Sequence, residues 1–468
     1  MAGIVSYGTY IPNYRLPRDL IAKEWGLPSL GGERAVASFD EDSLTMAVNA
    51  SIDALGGRDP RTLAGVFFAS TTSPYREKQA ATTVAAVLDA SPEVRTMDFT
   101  DTLRAGTSAL LAALDLVQGE RQILVCAGDA RMGEPDSQQE QNYGDAGAAI
   151  LVGSADVIAE VVGTYTISQE FLGTWRTEEQ DYLRSFPGAF ETKFGYNRFI
   201  AAAVQGVLQK CTLTPKEIAH AAIAAPSQRA LQAALRGVGL DVKSQVQDTF
   251  WNTIGDAGTA QPLVLLSAVL ERAKPGELIL VAGYGDGGDA AVFRVTDAVA
   301  GFRAVRSVYS QIEVKRTLPS YGKYARFRKL IRKEYATTDT STPVVLLRDQ
   351  KEILPLHGGK CPQCGTVQFP IHRICIECGY RGGLEEVKLP RTGKLFTFTH
   401  DYLTETPDPP TTHAVVDLDG GGRVYVQLTD CEPERVEIGM PVELTFRKYH
   451  EGAGLKNYFW KARPVHNR

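Results

Sequence analysis

Apolar and polar positions alternate in blocks over roughly the first 160 residues, and the blocks predict strands and helices in turn. GIVSYGTYIP reads as a strand and turn. DEDSLTMAVNASIDAL has helical spacing behind an acidic first turn. LAGVFFAST is a buried strand, AATTVAAVLDA a helix, TSALLAALDLV a helix, RQILVCAG a strand and GAAILVG another. This order predicts a sheet covered by helices on both faces. From about residue 195 the alternation restarts. NRFIAAAVQGVLQKC is helical, HAAIAAP a short strand and QRALQAALRGVGL a helix. QPLVLLSAVLERA is a long apolar helix, GELILVAGYG a strand and AAVFRVT its partner. Two successive halves of similar order predict a duplicated α/β unit.

Residues 300–350 form a bridge in which SYGKYARFRKLIRKEY is basic and aromatic and TTDTST is a polar turn. Past residue 355 the pattern changes. A compact cysteine cluster comes first. Then follow GKLFTFTHDYL, THAVVDLD, RVYVQLTD, MPVELTFRKYH and YFWKARPV, separated by Gly, Pro and Asp turns. Short strands at such spacing predict a small antiparallel barrel.

Composition narrows the function classes. The chain has 468 residues, 44% apolar and 22% charged, with 50 Lys and Arg against 55 Asp and Glu. That is globular composition without a polyanion-binding field, so nucleic acid is not expected as a partner. No apolar run reaches the roughly 18–20 residues of a membrane span. The first residues carry no basic stretch ahead of an apolar core, so a cytoplasmic location is expected and no membrane partner. Of seven histidines only His220 precedes residue 350, and of seven cysteines only Cys126 and Cys211 do. A cysteine nucleophile with a histidine base is therefore hard to assemble there.

Cys361, Cys364, Cys375 and Cys378 read as C-x2-C-x10-C-x2-C. Each knuckle aims two thiolates at one ion, and two knuckles close a tetrahedral four-sulfur site. Gly365 and Gly379 follow each knuckle, where the backbone turns tightly. The expectation is a structural zinc ion. His372, between the knuckles, is expected on the surface.

A zinc ribbon followed by five strands, with GKLFTF at 393–398, AVVDLD at 414–419 and IGMPVELTF at 438–446, resembles the zinc-ribbon/OB-fold accessory proteins of acyl-CoA enzymes. The resemblance implies a domain that receives part of a coenzyme A thioester and docks on a thiolase-type subunit. The preceding residues carry SFDEDSLTMAVNA at 38–50, STTSPY at 70–75, RAGTSALLAA at 104–113, GDAGAAILVG at 144–153, AKPGELILVAGYGDGGDA at 273–290 and YGKYARFR at 321–328. Together they resemble the thiolase superfamily, closest to archaeal-type 3-hydroxy-3-methylglutaryl-CoA synthases. The resemblance implies an α/β fold, a duplicated α/β/α/β/α core, followed by the zinc ribbon and an OB-type barrel. The expected division is 1–165 and 166–300 for the two thiolase-like halves, 301–354 for the basic bridge, 355–385 for the ribbon and 386–468 for the OB fold. At least a homodimer is implied, or assembly with a thiolase-like partner.

The resemblance places the family's nucleophilic cysteine at Leu103, its glutamate at Thr71 and its histidine at Ala224, ahead of Pro226; Asn252 matches the family's asparagine. Acyl-enzyme chemistry needs a thiolate and a base. Cys126, inside the apolar RQILVCAGD, is expected to be a buried, inert thiol. Cys211 and His220 are expected to be structural. Aldol cleavage or addition on a thioester needs no acyl-cysteine, only a base at the β-hydroxyl and donors for the enolate. The candidates are Tyr75, Asp101, Asn252, Tyr284 and Asp289, with Thr102 and Asp256 beside them and the Gly285–Gly288 loop as an oxyanion hole. Lys323, Arg326, Arg328 and Lys329 are candidates for coenzyme A phosphates. Trp175, Arg176, Tyr182 and Tyr196 are candidates for substrate choice. The leading expectation is an acyl-CoA carbon–carbon lyase or aldolase acting on a β-hydroxyacyl-CoA. The alternatives are a synthase or thiolase-type acyltransferase with a non-standard nucleophile such as Cys126, and a non-catalytic coenzyme A-binding scaffold.

Overall fold

The computed structural model describes residues 2–186, 190–331, 341–452 and 454–465. Residues 332–340 of the expected basic bridge lie outside them. The chain divides into two compact units. One comprises Met1–Ser38, Asp42–Ala85 and Ala90–Tyr321; the other comprises Phe39–Glu41, Ala86–Asp89 and Gly322–Arg468.

The first unit is built on β1 (Gly3–Tyr10), α1 (Ser43–Leu55), β2 (Leu63–Ala69), α2 (Ala80–Leu88), β3 (Arg95–Phe99), α3 (Ala105–Leu116), β4 (Gln122–Asp129) and β5 (Ala146–Gly153). It continues with β6 (Ala159–Ser168), α4 (Asn197–Lys210), β7 (Ile218–Ile223), α5 (Gln228–Leu235), α6 (Gln261–Leu270), β8 (Leu278–Tyr284) and β9 (Gly287–Val295). The strands form one nine-stranded sheet in the order β7-β8-β9-β6-β1-β5-β4-β2-β3. The duplication shows in the pairing. β2 runs parallel to β4, which is antiparallel to β5, which is antiparallel to β1. In the same succession β7 is parallel to β8, β8 antiparallel to β9 and β9 antiparallel to β6. β3 adds one further parallel strand beside β2.

Helices lie on both faces, as strands buried on both sides require. In β8 and β9, Ile279, Val281, Ala291 and Phe293 join the core that contains α3 and α6. The intervening Leu280, Ala282, Ala290 and Val292 join the core of α4 and α5. α6 is apolar almost all round and every one of its residues is buried, the expected fate of a helix without a polar face. Ser267 inside it returns its hydroxyl to the Leu263 carbonyl at 2.8 Å. α1 begins on a capping box: Asp42 accepts from the Thr45 amide at 2.9 Å, and Thr45 Oγ1 accepts from the Asp42 amide at 2.8 Å. The acidic residues therefore precede this helix; its first turn holds none.

Two sheet strands were not legible in the pattern. β6 is ten residues long, but its exposure does not alternate cleanly. β3, RTMDF, is partly exposed along its length.

The second unit holds a closed five-stranded barrel made of β10 (Thr392–Asp401), β11 (Thr411–Leu418), β12 (Arg423–Leu428), β13 (Pro441–Gly452) and β14 (Leu455–Pro464), in the order β10-β11-β12-β14-β13. Residues of β11 alternate strictly between buried and half-buried, which points every second side chain into the barrel. Leu395, Val416, Val426, Phe446 and Trp460 fill it. Ahead of the barrel, His357–Lys360, Val367–Gln368 and Glu385–Lys388 form a three-stranded ribbon that carries the cysteine knuckles. Among the described residues no helix is long and apolar enough to cross a membrane.

Candidate active site

In open α/β sheets ligands bind beyond the carboxyl ends of the strands. The first unit has a cleft of about 260 Å³ there. Thr71 and Thr72 reach it from the loop after β2, Asp101, Thr102 and Leu103 from the turn after β3, and Arg131 and Met132 from the loop after β4. Tyr284, Gly285 and Asp286 reach it from the end of β8, and Phe171, Trp175, Arg176 and Leu183 from the segment after β6.

One carboxylate ties much of this wall together. Asp129, the last residue of β4, is fully buried. Its Oδ1 accepts from Ser70 Oγ (3.0 Å), the Thr71 amide (2.8 Å) and Thr72 Oγ1 (2.9 Å). Its Oδ2 accepts from Thr71 Oγ1 (3.1 Å) and the Thr259 amide (2.9 Å). Thr71, the position at which the resemblance sets a glutamate, thus faces the cleft with its hydroxyl already bound.

Leu103 lines the cleft just before α3. The amides opening this helix make a thiolate or oxyanion favourable there, but the side chain present is aliphatic. Gly285, at φ +156°, lies against this turn: a Cβ on it would come within 2.8 Å of the Leu103 nitrogen and 2.7 Å of the Arg104 nitrogen. Only glycine lets the end of β8 approach so closely. Ala224 is outside the lining, and its carbonyl accepts the Tyr196 hydroxyl at 2.9 Å. No cysteine or histidine lines the cleft among the described residues. Cys126 is fully buried, and burial pushes its thiol up to about 12. Burial also raises the Cys211 thiol. His220 shares a 3.2 Å contact with Glu277, and burial followed by Arg272 lowers its pKa.

The five candidate side chains do not converge. Tyr284 and Asp101 line the cleft. Burial, then Glu191 and Asp286, raise the Tyr284 hydroxyl above the usual phenol range. Tyr75 and Asn252 are absent from the lining; the Asn252 carbonyl accepts the Glu33 amide at 2.9 Å. Asp289 is buried and clasped by Ser108 Oγ (2.6 Å), Thr107 Oγ1 (3.2 Å) and Arg104 (3.4 Å). Of the residues considered for substrate choice, Trp175 and Arg176 line the cleft, and Tyr196 is buried behind it.

The sequence pattern did not reveal Glu191. It opens a six-residue π-helical turn, Glu191–Tyr196, that leads into α4. Such turns recur at functional sites. A Cβ on Gly173, a lining residue, would lie 3.1 Å from the Tyr284 hydroxyl and 3.2 Å from Glu191 Cγ. Tyr284 and Glu191 therefore both lie against Gly173, Tyr284 in the lining and Glu191 just behind it. Burial raises the Glu191 carboxyl above its ordinary range; Arg131 opposes this and Asp256 adds to it. Arg131 pairs with Asp256 at 3.2 Å and lies over the Tyr143 ring at 4.1 Å. ETKFGY carries no local motif, whereas Asp129 had a signal: a carboxylate ending an otherwise apolar strand.

In the second unit the four cysteine sulfurs lie within 4.8 Å of one another. Cys361 and Cys378 are 3.7 Å apart, and Cys364 and Cys375 are 3.5 Å apart. Tetrahedral zinc with Zn–S of about 2.3 Å needs S···S of about 3.8 Å, so the donor set fits that ion. The knuckles repeat one geometry, with Gly365 N to Cys361 O at 2.9 Å and Gly379 N to Cys375 O at 3.1 Å. Elsewhere in this unit Lys323 pairs with Asp408 and Lys329 with Glu451, each at 2.6 Å. Arg328 is buried, and Arg326 is exposed.

Comparison with known proteins places both parts. Residues 386–447 match the model of the ChsH2 C-terminal OB-fold domain. The hydroxymethylglutaryl-CoA synthase of Methanopyrus kandleri is 30% identical over 343 residues, covering 70% of this chain and 98% of that protein. That of Methanocaldococcus jannaschii is 31% identical over 347 residues, covering 71% and 100%. Among solved structures, an HMG-CoA synthase complexed with CoA superposes with a TM-score of 0.63 at 18% identity, covering 72% of this chain and 92% of its own. The 3-oxoacyl-[acyl-carrier-protein] synthase III of Aquifex aeolicus does so with 0.55 at 20% identity, covering 63% and 100%. The core is thiolase-like, the barrel is an OB fold, and the chain belongs to the hydroxymethylglutaryl-CoA synthase family.

Proposed function

We propose that the chain acts on a β-hydroxyacyl-CoA thioester, making or breaking its Cα–Cβ bond without an acyl-cysteine intermediate. The observation that carries this reading is the cleft lining. Leu103 and Thr71 stand where the resemblance sets the nucleophile and its glutamate, and no cysteine or histidine is present among the described lining residues. The chemistry left to such a site is proton transfer and charge stabilisation.

In the cleavage direction a carboxylate takes the β-hydroxyl proton. The Cα–Cβ electron pair moves into the thioester as an enolate, and a carbonyl compound leaves. A proton then returns to Cα, giving a shortened acyl-CoA. Glu191 is the base in this reading, because burial raises its basicity. The Tyr284 hydroxyl, which also lies against Gly173, gives its proton to Cα and regains one from the protonated Glu191, which restores both groups. The amides opening α3 face the developing negative charge. Asp101 is a further acid–base group at the rim, whereas Asp289 has the role of holding Arg104 and α3.

The relatives favour a second reading, condensation of the hydroxymethylglutaryl-CoA synthase type with a non-standard nucleophile. Against Cys126 in that role stand its burial and raised thiol. Zinc on Cys361, Cys364, Cys375 and Cys378 as a structural ion is part of the proposal, supported by the sulfur spacing. So is the dimer that the resemblance implies, which light scattering reads.

The test is mass spectrometry of protein and small molecules after incubation with β-hydroxyacyl- and β-ketoacyl-CoAs, with and without prior iodoacetamide. An aldehyde or ketone plus a shortened acyl-CoA, with no protein adduct and no loss on alkylation, is expected. A stable acyl adduct traced to Cys126 establishes the second reading. Bound coenzyme A without turnover establishes a scaffold and removes both.

A further inference from the structure

We infer that the acyl group this cleft accepts is bulky and apolar, an aromatic or alicyclic chain, rather than a short or carboxylated one. This rests on the proposed acyl-CoA reading and adds the substrate class. Besides Tyr284, the rings of Phe171 and Trp175 line the cleft. Phe190 stacks on Phe171 with centroids 5.6 Å apart and planes 13° apart, and Phe186 lies 5.2 Å from Trp175. Phe186 and Phe190 touch at 6.0 Å, and Phe194 extends the row 5.2 Å beyond Phe190. Five rings thus form one continuous wall from the cleft outward.

The outer three are 44%, 45% and 46% exposed. A lone exposed phenylalanine needs no explanation, but a contiguous row running out of a binding cleft is surface held for an apolar ligand. Rings arranged in stacked and edge-on pairs suit a flat or cyclic partner. The polar lining sets two carboxylates and one carboxylate-paired arginine against a terminal carboxylate, with Arg176 as the opposing charge. Asp101 and Asp286 are of like charge, Arg131 is paired with Asp256 at 3.2 Å, and Arg176 binds the Thr71 carbonyl at 3.1 Å.

The test uses the full-length protein and four thioesters: acetyl-CoA, hydroxymethylglutaryl-CoA, phenylacetyl-CoA and 3-hydroxy-3-phenylpropanoyl-CoA. Binding is read by calorimetry and by quenching of Trp175 fluorescence, with Trp175→Phe as the spectroscopic control. The phenyl thioesters are expected to bind at least tenfold more tightly than the other two. The double variant Phe186→Ala/Phe190→Ala is expected to erase that preference without changing the oligomeric state seen by light scattering. Equal or tighter binding of acetyl- or hydroxymethylglutaryl-CoA by the native protein overturns the inference. So does a double variant that keeps the preference but changes subunit association, which would make the wall an interface between copies. Selective binding of the phenyl thioesters without turnover leaves this inference standing and removes the proposed chemistry. Turnover of the small thioesters alone does the reverse.

Discussion

Replacing Asp129 with asparagine isolates the group that holds the cleft wall. The aspartate receives five hydrogen bonds, three on Oδ1 and two on Oδ2, and is fully buried. Asparagine keeps the shape but has one acceptor oxygen. Its best orientation turns that oxygen to Ser70, Thr71 N and Thr72. The new NH2 can then donate to Thr71 Oγ1, but it faces the Thr259 amide donor to donor. A buried N–H left without an acceptor costs about 1–3 kcal/mol, and each hydrogen bond changed from a charged to a neutral acceptor weakens by roughly 1 kcal/mol. Allowing for non-additivity, the expected loss is about 3–5 kcal/mol. Because a chain of two units need not unfold in one step, the assay is urea titration combined with hydrogen exchange at the Thr71 and Thr259 amides. Both amides should lose protection, and thioester affinity should fall with them as the Thr71–Thr72 wall loosens. A loss under about 1 kcal/mol, with both amides still protected, would refute the account of Asp129 as the organiser of this wall.

Three further outcomes are expected, two at Glu191 and one at the ribbon. Glu191→Gln should lower kcat by roughly 10²–10⁴-fold and abolish an acid limb of kcat/KM that lies above the ~4.3 of an ordinary glutamate; an unaltered pH profile would exclude Glu191 as the base. Burial raises this carboxyl in the folded state, so the folded protein binds the extra proton and Glu191 loses stability as pH rises through the folded value. The glutamine variant should therefore unfold at the same or higher urea concentration at neutral pH. For the ribbon, elemental analysis should find close to one zinc per chain, and Cys361→Ser or Cys375→Ser should abolish it and unfold the segment around residues 357–388. Metal-free protein with that segment intact would remove the zinc assignment.

Features that depend on short-range spacing were legible along the chain. C-x2-C-x10-C-x2-C places four thiols within a few turns of chain, and the sulfurs do converge. The all-round apolar QPLVLLSAVL could only be an interior helix, and it is wholly buried. THAVVDLD between turn residues was legible as a strand, and the structure sets it in the barrel with every second residue inward. That Leu103 brings no thiol to the turn before α3 was equally legible, because a side chain's chemistry does not depend on the fold.

Which polar residues share a site depends instead on long-range packing. Asp101 follows β3 and Tyr284 ends β8, two strands that run opposite ways in the sheet; they share the cleft because the two halves pack together around α3 and α6, and Glu191 approaches Tyr284 behind Gly173. Asp289 looked as available as Tyr284 in GYGDGGDA, yet it is sealed under Arg104, Thr107 and Ser108. Strand β6 escaped notice for a related reason. Its exposure lacks a period of two, so its place was set by pairing with β9 and β1 and not by its own pattern. Local periodicity encodes which face of an element is buried. Which loops converge depends on long-range strand order, and that is fixed only when the two halves pack around α3 and α6.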